Sequence, residues 1–125
     1  MKLESQVCSL ELAKRLKELN VKQESFFIWK QCINKQLACY QIPTVSTHKN
    51  VDNDDEIIAS AFTVAELGKH FEEVKENDFF KAYGHVFNVP DTEVITSYGW
   101  LQCVKNPDIL AKMLVYLLES KLITL

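Results

Sequence analysis

An α+β fold, with a single layer of antiparallel sheet packed by about three helices, is what the sequence predicts. Two observations carry this. Amphipathic segments with helical spacing stand near both ends and after residue 62, while the aromatic and β-favouring runs SFFIWKQ, QLACYQI and IIASAF lie between the first two of them. The resulting order of helix, hairpin, strand, helix, strands, helix is that of an α+β layer. At 125 residues with 47% apolar composition the chain can fill one core, so a single domain over 1–125 is expected.

The first helix is expected over 9–19. Leu12, Leu16 and Leu19 form its apolar stripe, continued backwards by Cys8, with Ser9 as N-cap and Asn20 as the left-handed residue that ends it. SFFIWKQ and QLACYQI follow as an antiparallel hairpin turning at Asn34 and Lys35. Its second strand should stop at Pro43, which has no N–H to donate, and a polar loop of about a dozen residues should follow. IIASAF supplies a third strand that runs directly into FTVAELGKHF.

In that segment Thr63 is the expected N-cap and Glu66 the third helical residue of a capping box, with Phe62 and Leu67 as a hydrophobic staple. Val64, Leu67, Phe71 and Val74 mark the buried stripe, and Gly68 falls on the same face. Glycine inside a helix costs about 1 kcal/mol relative to alanine. Close approach of a backbone or an aromatic ring, Trp29 or Trp100, is therefore expected at Gly68, and Gly68→Ala is expected to destabilise. ENDFFKAYG (76–84) is read as a single turn between Asp78 and Gly84, and TEVITSYGWLQCV as β structure bulged or turned at Gly99. The last helix is capped by Asn106, starts with Pro107 and carries the stripe Leu110, Met113, Leu114, Leu117 and Leu118. Burying that stripe could contribute on the order of 10 kcal/mol before entropy is counted, and the aromatic sheet is the surface expected to receive it.

Function is harder to draw from these residues. Net charge is −3, which offers no overall basic footprint for nucleic acid. Lys14, Arg15, Lys17 and Lys22 are interleaved with Glu11, Glu18 and Glu24 and read as a solvated helix face. ELAKRLKELNVKQESFFIWKQ has the outline of a helix-turn-helix, but Phe27 and Ile28 would occupy the outward positions where a recognition helix needs polar or basic side chains. A nucleic-acid-binding regulator using the N-terminal helix thus stays an alternative. The acidic run at Asp52 to Glu56 lacks the alternating carboxylates, glycine and distal Glu of a calcium loop and reads as a polar surface loop.

Cys8, Cys32, Cys39 and Cys103 have no CxxC spacing and read as reduced thiols. No metal, cofactor or catalytic residue is assigned. ELAKRL and ELGKHF echo each other, as two amphipathic helix starts do by chance. No secretory signal or membrane span is expected, so a soluble cytoplasmic protein is anticipated. Trp29, Tyr40, Tyr98 and Trp100 are read as core residues first and as interface anchors second.

CSLELAKRLKELNVKQES, AFTVAELG and AKMLVYLLESKLI together resemble a family of small proteins of unknown function found in bacteriophages and prophage regions. The resemblance covers roughly two fifths of the chain. Family members usually have Gly where this chain has Asn20, which keeps the helix-ending role, and an acidic, Ala-rich lead into the last helix where this chain has KNPDIL. The resemblance implies a phage or mobile-element setting in a bacterial host and supplies no activity or cofactor. The expected function is a non-enzymatic accessory or regulatory protein that binds a host or phage protein, with homo-oligomerisation possible for so small a domain. The other alternative is a small-ligand, nucleotide-like binder or enzyme with a pocket between the sheet and the two later helices.

Overall fold

The computed structural model describes residues 2–33, 42–88 and 105–125. Within them a three-stranded antiparallel sheet is packed by helices, an α+β fold. Helix α1 spans Leu10–Glu18, strand β1 Phe27–Cys32, β2 Thr44–Thr47 and β3 Asp55–Ala61. Helices α2 (Val64–Gly68), α3 (Glu76–Phe87) and α4 (Pro107–Glu119) follow. None of the described helices is long and apolar enough to cross a membrane.

Local chemistry explains where the helices begin and end. Ser9 accepts from the Leu12 N–H at α1, and Asn106 accepts from Asp108 and Ile109 at α4, with Pro107 at the first helical position. At its other end α1 closes with Asn20 at φ 68°. The Val21 N–H donates to the Leu16 carbonyl at 3.0 Å and the Asn20 N–H to that of Lys17 at 3.1 Å, which is a Schellman motif. Helix α4 closes in the same way, except that the left-handed residue is Lys121, at φ 58°. The capping box of α2 is complete, and Phe62 and Leu67 are both buried in one core cluster.

Sheet order is β2-β1-β3, with β1 in the centre. Its register aligns Ile28 between Ser46 and Ser60, and Trp29 between Val45 and Ala59. All six residues are buried, so both faces of the sheet are covered. A bulge against β3 after Trp29 leaves Ile58 unpaired. Ile58 and Ala59, adjacent in the chain, both reach the main core for that reason, which strict alternation would forbid. Small residues at Ala59 and Ala61 let α1 lie close to β3. The outer edge of β3 is occupied: the Gln23 side chain accepts from the Ser60 N–H at 2.8 Å, and the Lys17 ammonium donates to the Ile58 carbonyl at 2.9 Å.

The structure corrects several expectations, and others fall outside the described residues. The run after Pro43 is not all loop, because Thr44–Thr47 forms β2; its β-branched residues suit an edge strand, and Val45 and Ser46 are buried. The expected second hairpin strand and TEVITSYGWLQCV lie outside the described residues, apart from the end of the former at Ile42. The single turn at 76–84 is part of a 12-residue helix in which Phe79, Ala82, Tyr83 and Val86 make one packed stripe. Gly84 is buried inside that helix, and Asn88, at φ 54°, ends it instead.

Helix α4 does not simply lie on the sheet; it packs along α1, α2 and α3. Leu110, Ala111 and Leu114 join the core shared with α1 and Trp29, while Met113 and Leu117 join a second cluster with Phe79 and Ala82 of α3. A helix serving two clusters must be apolar over more than one stripe, and α4 is. Finally, Gly68 is not closely packed. A Cβ at this position meets nothing within 4 Å among the described residues, Trp29 included, and Trp100 lies outside them.

Candidate functional site

Two consecutive phenylalanines at the start of a strand cannot both face the same core. Phe27 packs against the main cluster, which leaves Phe26 turned outward with 69% of its surface exposed. Its backbone is nevertheless held. The Phe26 N–H donates to Oε2 of Glu66 at 2.8 Å, while Oε1 of the same carboxylate accepts from the Thr63 N–H at 2.9 Å. One capping side chain thus joins the N-terminus of α2 to the entry of β1. The two Phe rings meet edge to face, with centroids 5.0 Å apart and planes at 77°. The Ser25 hydroxyl donates to the Phe27 carbonyl and fixes the turn into the strand.

Beside Phe26 lies a hollow of about 410 Å³ lined by Ser25, Phe26, Thr47, His48 and Lys49. Pairing of Phe27 with Thr47 brings the two sides of the hollow together. His48 Nε2 lies 3.0 Å from the Ser25 carbonyl oxygen, which can only accept, so this nitrogen carries the proton and donates. That bond anchors the imidazole across the mouth of the sheet. Lys49 is exposed and makes no ion pair or hydrogen bond among the described residues. The resulting surface is an aromatic ring on a fixed backbone, a concave neighbour and one uncommitted cation. A second hollow, of about 320 Å³, is lined by Phe71, Val74, Glu76, Phe79 and Phe80, and Phe79 meets Phe71 and Phe80 edge to face.

Of the residues singled out in the sequence as site candidates, none of the described ones lines either hollow. Trp29 belongs to the core: 9% of it is exposed, and its Nε1–H donates to the Cys8 carbonyl at 3.1 Å. Tyr40, Tyr98 and Trp100 lie outside the described residues. Thr63, Asn106 and Pro107 serve as helix starts, and Glu66 does so while also supporting Phe26. Sequence reasoning passed over Phe26 because SFFIWKQ reads as a half-buried strand. The doubled phenylalanine was the available signal, since alternation obliges one of the pair to face away.

Chemistry elsewhere is structural in character. Asp55 is held below the usual carboxylate range, first by the Asp52 N–H and then by Lys30, whose ammonium lies 3.2 Å away and also donates to the Asn50 carbonyl. In the Asp52 to Glu56 run that carboxylate is already committed. No group of three metal-ligating side chains converges among the described residues. Burial pushes the Cys8 thiol up to about 11, which leaves it protonated and unreactive at neutral pH. Burial also lowers the pKa of His70. Arg15 bridges Glu18 and Glu119 at 3.0 and 2.9 Å, and Lys17 is engaged with Ile58, so two cations of the N-terminal helix are turned to internal contacts. No family model matches the chain, and neither a curated protein nor a solved structure is significantly similar to it.

Proposed function

We propose that the protein is a non-enzymatic accessory or regulatory protein of a phage or prophage, acting in the cytoplasm of a bacterial host by binding a host or phage protein. The observation that carries the binding reading is Phe26: a large aromatic side chain, 69% exposed, on a backbone held by Glu66 and beside a polar-rimmed hollow. Exposed aromatics that are already immobilised lose little conformational entropy when a partner covers them, and aromatic anchors dominate binding energy at protein interfaces. The phage setting rests on the sequence resemblance alone.

A photo-crosslinking residue at position 26, compared with one at the exposed Glu73, tests the reading in bacterial cells. Discrete protein adducts at position 26 and not at 73 are expected. The same adducts from both positions, or none from position 26, would refute it. Light scattering over a range of concentrations separates partner binding from self-association. The hollow of about 410 Å³ also supports a second reading, a small-ligand binder, since it falls at the lower end of ligand-pocket volumes. A thermal-shift screen with nucleotides would support that reading by a rise in Tm.

A further inference from the structure

We propose that the hollow at the corner between α2 and α3 binds a small organic cation of the quaternary ammonium class. The hollow, of about 320 Å³, is lined by Phe71, Val74, Glu76, Phe79 and Phe80. It shares no lining residue with the hollow beside Phe26, so this site stands or falls independently of the protein-binding reading.

Local structure brings the rings together. Phe71 closes the 3-10 turn Lys69–Phe71 that follows α2, Glu76 opens α3, and the short link through Val74 sets Phe71 against Phe79 on the first turn of that helix. Phe79 is the most deeply buried of the three rings, with 7% of its surface exposed. Phe71 and Phe80 stand at 78° and 71° to its plane, each with its centroid 6.2 Å away. Rings set across one another, rather than in a flat stack, turn their electron-rich faces in different directions. A cation within about 6 Å of such a face is attracted by the ring quadrupole.

Charge at the opening has the matching sign. Glu76 is the charged residue in the lining, and its side chain makes no ion pair or hydrogen bond among the described residues. All five lining residues fall within 71–80, where Glu72, Glu73 and Asp78 add carboxylates against Lys75. With Lys69 and Lys81 on either side counted as well, the carboxylates still outnumber the lysines, and His70, its pKa lowered by burial, is neutral at pH 7. The same surroundings choose among cations. An ammonium bearing N–H groups would give up bonds to water that one carboxylate and four apolar side chains cannot replace, whereas a quaternary ammonium has none to give up. A metal ion needs several oxygen ligands, and no group of three metal-ligating side chains converges among the described residues. A neutral apolar ligand would leave the Glu76 carboxylate beside it with no counter-charge.

Titration of the full chain with choline, followed by backbone amide shifts at fixed ionic strength, tests the proposal against dimethylbutanol, the uncharged isostere of choline. Choline should bind at least about tenfold more tightly than the isostere, with the largest shifts in 71–80. Glu76→Gln should weaken choline by about two- to fivefold. Phe80→Leu, which keeps an apolar side chain but removes the ring, should weaken it by about three- to tenfold. Phe26→Ala should leave it unchanged. No binding of choline, equal binding of choline and the isostere, or choline binding that both site variants leave intact would overturn the proposal. A loss confined to Phe26→Ala would move the ligand to the other hollow and overturn it equally. Circular dichroism melts verify that each variant is folded; if Phe80→Leu is not, Glu76→Gln, altered at an exposed position, and the isostere comparison decide the matter.

Discussion

Alanine at Gly68 should stabilise the protein, the opposite of what helix periodicity suggests. Gly68 closes α2 with φ −57° and ψ −31°, a right-handed helical conformation that alanine adopts without strain. Among the described residues the new methyl group meets nothing within 4 Å, so none of them opposes the exchange sterically. What remains is the restriction of the unfolded chain and the better helix propensity of alanine, together about 0.5–1 kcal/mol. The lower part of that range is the safer expectation, because α2 has five residues and tightens into a 3-10 turn at Lys69. For a chain of this length the gain corresponds to a Tm rise of roughly 2–6 °C. Calorimetry and urea unfolding measure it, with an unchanged m-value expected. A Tm lowered by a comparable amount would mean that a neighbour presses on this position, and the reasoning would fail.

Three further perturbations follow from single contacts. Glu66→Ala removes acceptors from the N–H groups of both Phe26 and Thr63 and should cost about 1–2 kcal/mol; Glu66→Gln, which keeps one acceptor oxygen, should cost less, as urea midpoints will show. Lys121→Gly relieves a left-handed conformation at φ 58° in a non-glycine residue and should stabilise by about 0.5–1 kcal/mol, detectable as a higher Tm. Acid should act in two windows. His70, lowered by burial from 6.5, favours folding while neutral and loses that contribution as pH falls below about 6.5, and Asp55, lowered from 3.8, loses its own only as pH falls below about 3.8. Melting curves from pH 8 to 3 for His70→Gln and Asp55→Asn should flatten the first and the second window respectively.

Features that depend on a few neighbouring residues were legible before the fold was known. The Thr63 and Glu66 capping box, Asn106 with Pro107, and Asn20 as the helix-ending residue all act within one helical turn, so spacing alone determined them. Strand β3 was legible as well, because IIASAF is a compact β-favouring run. Polarity hid β2, since Thr and Ser in TVST look like loop residues until Val45 and Ser46 are seen buried beside β1. Of the four aromatics read as core first and interface second, Trp29, the one among the described residues, is held in the core and donates to the Cys8 carbonyl.

The sequence by itself therefore determined the helix caps, the apolar stripes and the α+β class. Tertiary structure decided how those pieces meet. The Glu66 carboxylate reaches Phe26 across 40 residues, and Asp108 accepts from the Ser9 N–H across 99, at 2.6 Å, joining the N-termini of α4 and α1. Local periodicity carries no record of such pairs, because a spacing rule counts positions along one element while a packing contact depends on which elements are brought together. Gly68 and Phe26 show both directions of that limit. One looked packed and has no described neighbour within reach of a Cβ, and the other looked like an ordinary strand residue and stands out at the surface, because burial is set by neighbours that are distant in the chain.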